Sequence, residues 1–573
     1  MSDRIKKIKI KQADGTMSDY YPIGADAQNI DFSNGYNLDN IVGSLNPDES
    51  GNIATQLSKS IKYYDCVADM KADTTLNGGG AARTLGYYEP NDGGGGLYSI
   101  IDTTDSRYET SINDGGSVHD LSNGNKALLI INNKVINLAQ MGLATSNNKT
   151  INTNIIYNTI KLLKDGGTVL IPMGVYNIDP IIIDFTTRYL TIRGINKDAI
   201  LQQVTSNDYA IRFTEHQSNI TLEDVYIENN SVGSGIAFES TANSGAVHLL
   251  RTHIRNCIHG YKLHNVVYLY ANEANAGMSG TRCTADSFAF ELKGYEYNRI
   301  ENCACQINGN VDTYIDFPMC KLIDTPFVWI KNCEFVKTGG PGIYIASTGA
   351  NSIGNIYIDT CELYRVREGV RIAPNTRSLQ NINITNCHVT LHGETMGSTA
   401  INEHAIHILH EDETSTANCS IFCDNLFVHR HGQTSPGYLI RVEDDLLYSG
   451  TFTNISNMFN NQANCYFGNN IISDLSFINP ALKGTMSVTV DGTTKRYNCI
   501  KIIGTVPRVD NCVPKVSMTP NKEYRSALAG YPFIASEEFY EPDPTTGRFR
   551  WMLAFVDQVP PAGTYSFDYQ IHF

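Results

Sequence analysis

Residues 328–335, 356–363 and 382–389 read VWIKNCEF, IYIDTCEL and INITNCHV, and the three segments share one pattern. Apolar residues alternate with other types for four positions, and then come a small polar residue, a cysteine, one further non-core residue and an apolar one. Alternation with period two marks a strand with one buried face, and the small polar residue that follows it marks a corner. Looser copies begin at Ile220 (ITLEDVYI), Val247 (VHLLRTHI), Val267 (VYLYANEA), Asn298 (NRIENCAC) and Ile421 (IFCDNLFV), so successive starts lie 27, 20, 31, 30, 28, 26 and 39 residues apart. One strand and one corner cannot bury an apolar face alone. Units recurring at such a period stack on each other, which makes a solenoid.

The rest of the composition agrees with a β-rich chain. At 573 residues the sequence is too long for one ordinary domain. Asn, Thr, Ile, Tyr and Gly are abundant and helix formers sparse, which favours short strands and turns. Net charge is 44 − 59 = −15, and the only basic run is RIKKIKIK at residues 4–11. That balance argues against nucleic acid as a main partner. No signal-peptide core and no apolar stretch of about 18 residues occurs, so neither secretion by a leader nor membrane insertion is expected. Of fourteen cysteines, Cys303, Cys333, Cys361, Cys387 and Cys423 fall on positions predicted to point inward, where a thiol behaves as a small hydrophobe. No pair of CxxC motifs points to zinc, and neither metal nor cofactor is expected.

In chain order, residues 1–60 hold an alternating IKIKQADG and little further periodicity. Residues 61–145 read as a compact unit with a hairpin in LLIINNKVINL (128–138), whose Asn132-Asn133 pair suits a primed turn. Gly93 to Gly96 lie between strand-like flanks. A phosphate loop requires a following helix and a lysine, so this is a structural loop. TINTNIIYNTIKLLKDGG (150–167) is a helix with Ile156, Ile160 and Leu163 on one face and Gly166-Gly167 as its stop. Placed immediately before the coils, it is expected to cap them. Residues 481–573 include SVTVDGTTKRYN, where Asp491-Gly492 suits a hairpin, and they read as a small β-sandwich that closes the solenoid, trimerises or binds sugar.

DGGTVLIPMGVYNI (165–178), with the helix before it and YLTIRG (189–194) after it, resembles the pectate-lyase-like right-handed parallel β-helix. MKADTTLNGGGAARTLGYYEPNDGGGGLYSI (70–100) looks like the head segment of phage tailspikes and tail-appendage proteins of that superfamily. KIKQADGTMSDYYPIGADAQNIDF (9–32) is similar to tail-attachment segments of phages infecting Gram-positive bacteria. The resemblance implies an all-β chain of four parts: attachment segment (1–60), head (61–145), right-handed parallel β-helix with its capping helix (146–480) and C-terminal β domain (481–573). It also implies a homotrimer in the virion tail, made in the host cytoplasm and joined to a tail or baseplate protein through its N-terminus. The implied target is a bacterial surface polysaccharide or teichoic acid. The clustered Asp ligands and Arg base of pectate lyases cannot be placed on this chain, so pectin cleavage is not implied.

Candidate site residues come from the outward positions. The first strands give Thr221, His248, Tyr268, Arg299, Trp329, Tyr357, Asn383 and Phe422, an aromatic row suited to sugar rings or to a subunit interface. Each coil's second strand gives Ala237, Lys262, Glu291, Asp316, Tyr344, Arg371, His407 and Arg441. Coils stack about 4.8 Å apart, so Glu291 and Asp316 on consecutive coils would approach the separation of about 5–5.5 Å of a retaining glycosidase pair. A third row, after the corner, contains Glu273, Glu334 and Glu362. Carboxylates one coil apart raise each other's pKa, which lets an acid and a base coexist. The expected catalytic set is Glu291, Asp316, Glu334 and Glu362, with Trp329, Tyr357, Tyr344 and Arg371 binding substrate. In EHAIHILHE (403–411) alternation separates His407 from His404 and His410, so metal ligation is not expected. Glu443, Asp444 and Asp445 make one acidic turn, weak as a calcium site. The corner asparagines, Asn302, Asn332, Asn386 and Asn425, are expected to hydrogen-bond locally. Three functions fit: a tailspike that recognises and depolymerises a glycopolymer, a non-catalytic receptor-binding adhesin, or a bacterial polysaccharide lyase or hydrolase.

Overall fold

The coil that begins at Val328 shows how the repeat folds. Its first strand, Val328–Lys331, buries Val328 and Ile330 and turns Trp329 and Lys331 outward. Asn332 then adopts a left-handed backbone conformation, φ 53°, which asparagine tolerates better than most side chains. The next strand, Glu334–Ala346, carries the other two arms of the coil and bends at Lys337, φ 63°. Every arm pairs in parallel with its equivalent one coil on, as in Val328↔Ile356, Trp329↔Tyr357 and Ile330↔Ile358.

The structure, a computed structural model, describes residues 8–11, 17–20, 61–204, 208–229, 233–294, 297–308, 315–349, 353–391, 403–411, 417, 419–430, 437–442, 447–453, 456–457, 465–467, 475–478, 483–493, 496–501, 515–538, 550–555 and 558–572. Among these, first arms form a 13-stranded sheet and the other two arms a 20-stranded sheet. This is the all-β, right-handed parallel β-helix that the resemblance implies, built from the stacked units that the repeat predicts.

The corner after the first arm explains the cysteine column. Asp224, Arg251, Glu273, Asn302, Asn332, Thr360, Asn386 and Asn425 all have φ between 50° and 55° there. The residue after each points into the core: Val225, Thr252, Ala274, Cys303, Cys333, Cys361, Cys387 and Leu426 are all buried. Cys333 Sγ donates to the Ile300 carbonyl of the preceding coil at 3.4 Å. Eleven of the cysteines, all five expected inward ones included, are buried free thiols. Burial pushes Cys419 up to about 12 and Cys283 to about 11. The corner asparagines, expected to bond locally, bond between coils. Asn332 Nδ2 donates to Asn302 Oδ1 at 2.6 Å, and Asn302 Nδ2 donates to Asn272 Oδ1 at 2.7 Å.

The chain divides into two units, residues 1–132 with 139–142 and residues 133–138 with 143–573. In the first, a five-stranded sheet of Ile61–Tyr64, Ala81–Thr84, Leu97–Ile101, Lys126–Leu129 and Val118–Asp120 packs around Met70, Tyr98 and Ile100. The glycine loop is structural, as its flanks predict. Asp92 fills it by accepting the backbone N–H groups of Tyr87, Tyr88, Glu89 and Gly94.

In the second unit the helix spans Lys149–Leu162, capped by Asn148, which accepts from the Ile151 N–H at 2.9 Å. Ile156, Ile160 and Leu163 are buried, and Gly166 at φ 116° ends it. It lies against Gly174–Ile178, with Asn152 Nδ2 donating to the Asn177 carbonyl. One expectation about its surroundings fails. Val135–Asn137 does not return as a hairpin; it pairs in parallel with Gly167–Ile171 and so joins the 13-stranded sheet before the helix. Positive φ falls at Asn133 and Lys134, 52° and 56°, one residue later than the Asn132-Asn133 turn that was expected, and the partner strand differs as well.

Among the described residues the C-terminal part holds two three-stranded antiparallel sheets. Val488, Val490, Leu528, Phe555 and Phe567 form a core there. Asp491-Gly492 does not close a hairpin. Lys483–Val490 pairs with Gly563–His572, whereas Arg496–Lys501 pairs with Arg550–Phe555 in the other sheet. The turn, with Gly492 at φ 80° and Asp491 Oδ1 accepting the Thr493 N–H, links the two sheets.

Candidate functional site

Backbone register decides which outward side chains are neighbours. On the third arm the aligned column runs Lys262, Glu291, Lys321, Tyr344, Arg371, His407, Arg441. Lys321 stands where Asp316 was expected, because that coil's strand is Cys320–Ile323. Asp316 precedes the strand and is exposed. The close pair expected of Glu291 and Asp316 does not form. Glu291 instead meets His264 Nε2 at 2.7 Å and Lys321 Nζ at 3.0 Å. Burial would raise its pKa, but the hydrogen bond from His264 and the Lys321 ammonium hold it at about 2. A carboxylate so held is ionised at neutral pH and is no proton donor.

Glu334 and Glu362 are aligned one coil apart, as expected, and both are exposed. His388 follows them in the column, its Nδ1 3.8 Å from Glu362. Glu273 lies outside this column and occupies the corner at φ 54°. On the 13-stranded sheet Tyr270, not Tyr268, aligns with His248 and Arg299, a slip of two residues. Trp329 and Tyr357 align as expected, with ring centroids 5.4 Å apart and planes within 10°. Tyr297 continues the stack on Trp329 at 6.3 Å and 4°. Rings stacked along the solenoid axis cover each other's faces, so Trp329 presents mainly its edge to solvent.

A polar cluster on strands Glu362–Ala373 and Glu403–Ile408 gathers the chemistry. Glu368 aligns with His404, and Arg371 with His407. Glu368 is 2% exposed and holds Arg371 in a fork: Nε donates to Oε2 at 2.6 Å and Nη2 to Oε1 at 3.0 Å. His407 Nδ1 lies 3.2 Å from the same Oε1. Burial alone would raise the Glu368 pKa; His407 and Arg371 together keep it well below the usual carboxylate range. Burial works against the Arg371 cation too, but Glu368, with Asp316 and Glu411 behind it, keeps it firmly protonated. The His404 ring packs on that of His407 at 4.6 Å, and burial first, then the neighbouring His407, lowers its pKa to about 3. The expectation that alternation separates His404 from His407 is therefore wrong.

Two exposed carboxylates border this floor. Asp316 accepts from Arg367 Nη1 at 2.8 Å. Tyr344, aligned with Arg371, donates its hydroxyl to Glu411 Oε2 at 2.5 Å, and Asn375 Nδ2 reaches the same oxygen at 3.4 Å. Burial and the Glu411 hydrogen bond both raise the Tyr344 pKa. Of the eight expected site residues, Asp316, Tyr344 and Arg371 come together here. Glu291 lies two coils before Tyr344, Glu334 and Glu362 lie on a different arm, and Trp329 and Tyr357 belong to the other sheet. Glu368, His404, Arg367 and Glu411 were missed. For Glu368 and His404 the signal was an acid or histidine beside inward apolar positions, in REGVRI and EHAIHI; Arg367 and Glu411 carried no such signal. The acidic turn at 443–445 lies outside the described residues. A fixed guanidinium flanked by a phenol and two solvent-accessible carboxylates is equipped to bind a polar or anionic group and to move protons beside it.

No family model matches the chain, and no curated protein matches it. Solved structures similar to it include three phage tailspikes. The full-length tailspike protein 2 of Escherichia coli O157:H7 bacteriophage CAB120 is 13% identical with a TM-score of 0.34, covering 73% of this chain, which spans only 56% of that one. The tailspike of Acinetobacter baumannii bacteriophage Fri1, a capsular polysaccharide depolymerase, is 12% identical with a TM-score of 0.38, over 90% of this chain and 98% of that. The tailspike of Acinetobacter phage AS12 is 11% identical with a TM-score of 0.44, over 88% and 93%.

Proposed function

We propose that this chain is a phage tailspike that recognises and cleaves a bacterial surface glycopolymer at the cluster around Arg371. The observation that carries the reading is a buried polar centre, Glu368 with His404 and His407, opening outward to Asp316 and Glu411. Ionisable groups buried and cross-bonded beneath an exposed pair of carboxylates are costly to maintain and concentrate at functional sites. Asp316 and Glu411 are the acid and base in this reading, and Arg371 and Tyr344 hold the polymer between them. Residues 1–60 attach the chain to the tail, the assembly is a homotrimer, and synthesis takes place in the host cytoplasm. A stable monomer in light scattering would count against the tailspike assignment.

The test is release of new reducing ends from isolated envelope polymer of candidate hosts. Asp316→Asn and Glu411→Gln are each expected to lower the rate by about 10²-fold or more while leaving binding in place. The non-catalytic adhesin is the second reading, favoured by one fact: Glu291 and Glu368, two buried carboxylates of this face, are both held ionised. Polymer that is bound but never shortened would establish the adhesin.

A further inference from the structure

The corrected register changes what the third-arm column presents. From Lys321 through Tyr344, Arg371 and His407 to Arg441, five successive coils place an ammonium, a phenol, a guanidinium, an imidazole and a second guanidinium in one column, and all but the buried His407 reach solvent. With Asp316 in the position of Lys321 these five coils would include a carboxylate; with Lys321 they form a run of hydrogen-bond donors that begins one coil after Glu291. Adjacent coils are about 4.8 Å apart, so four steps span about 19 Å. That length accommodates several sugar residues laid along the solenoid axis.

Arg371 is the centre of the run. Glu368 takes Nε and Nη2, which fixes the plane of the guanidinium and leaves Nη1 outside that fork. A pre-oriented planar donor set matches a carboxylate or a phosphate better than it matches a neutral hydroxyl. The acids near the run are each engaged: Glu291, one coil before it in the same column, by Lys321 and His264, Asp316 by Arg367, and Glu411 by Tyr344. We propose that this column is a track for an anionic glycopolymer, one carrying uronic carboxylates or phosphodiesters at intervals along its backbone. The inference rests on the reading of this face as a glycan site and adds the class of glycan.

The experiment measures binding of the full chain to three probes, polygalacturonate, glycerol-phosphate teichoic acid and dextran, by calorimetry at low and at high salt. The expected result is binding of an anionic probe, with dextran inert; which anionic probe binds separates carboxylate from phosphodiester. Raising salt should weaken that binding, since exposed charge attraction is screened. Arg371→Gln should weaken it by about tenfold or more, and Arg371→Lys, which keeps the charge and loses the fork, by less. Circular dichroism and melting of both variants establish that they fold. If both anionic probes fail to bind, or if dextran binds as well as they do with no salt dependence, the proposal is overturned. The two levels separate cleanly. Envelope polymer cut equally well before and after carbodiimide–borohydride reduction and phosphate removal would sink the anionic class and leave the glycan site standing. Arg371-dependent polyanion binding without any action on envelope polymer would do the reverse.

Discussion

Removing the Glu368 carboxylate should be among the most destabilising single changes available on the outer face of the solenoid. Glu368→Gln keeps the shape of the side chain but leaves the Arg371 guanidinium, whose side chain is only 18% exposed, without its counter-ion and with two donors facing one amide. Breaking one side of a buried pair of this kind costs about 3–5 kcal/mol, because a charge stays behind in a poorly solvated place. A solvent-facing pair provides the comparison. Lys149 and Asp179 are 35% and 29% exposed, and Asp179→Asn there should cost about 1 kcal/mol or less. The double variant Glu368→Gln with Arg371→Gln should recover much of the loss, because no uncompensated charge remains. Urea unfolding of the four proteins gives the coupling energy directly. The pH dependence has a definite sign. Glu368 has a folded pKa below its unfolded value of about 4.3, so its contribution is present above that pH and is lost as pH falls through it toward the folded value. The difference between wild type and Glu368→Gln should therefore shrink on acidification below about pH 4.3. A coupling energy near zero at pH 7, or a difference that grows in acid, would refute the assignment of Glu368 as the buried counter-ion.

Three further outcomes follow from the packing. A Cβ on Gly369 would lie 2.4 Å from the Ala405 carbonyl oxygen of the next coil, so Gly369→Ala should destabilise by about 1–3 kcal/mol in urea unfolding. Asn332→Ala should cost about 1–2 kcal/mol, for the left-handed backbone and the lost bond to Asn302, and Asn332→Gly should cost less because glycine takes that conformation freely; thermal melts of the two variants decide the order. The buried thiols of Cys333, Cys361 and Cys387, held up in pKa by their neighbours in the column and by burial, should not react with a thiol reagent in the native protein and should react fully in denaturant; rapid native labelling of this column would contradict the core it is assigned to.

The solenoid was legible because alternation and corner chemistry coincide in the copies at 328, 356 and 382, and each copy placed its inward residues correctly. The errors share a cause. A slip of two residues preserves inside and outside, so Tyr268 satisfied alternation as well as Tyr270, and only pairing with His248 and Arg299 separates them. Likewise TYIDF and CKLI both alternate, and which of them continues the stack under Glu291 is fixed by the neighbouring coil rather than by either segment. Tight turns behaved similarly: Asn133 and Gly492 adopt the positive φ expected of them, yet a turn's local preference does not name the strands it joins. Period-two patterning specifies the face of a strand and is silent about its partner.

The polar cluster was hidden for a different reason, and that reason bears on why it sits where it does. A solenoid with unbroken columns can build only ladders, each residue meeting the one above and below, and ladders of thiols, asparagines and stacked rings are what most of this chain contains. A site needs residues from different columns to converge. Glu368 and Arg371, three positions apart, should face opposite sides of a regular strand, yet they are joined by two hydrogen bonds. His404 and His407 repeat that departure one coil later, in register with them. Gly369 lies inside the first break, where the Ala405 carbonyl leaves no room for a side chain. Two consecutive coils thus abandon alternation at the same place, and the residues that converge there are ionisable rather than apolar. An irregularity that merely relieved a packing conflict would have no need to bury a glutamate and two histidines, each of which is costly to desolvate. Its repetition with polar contents is the strongest physical reason to look for chemistry at Arg371 rather than along the regular rows of Glu334 and Glu362.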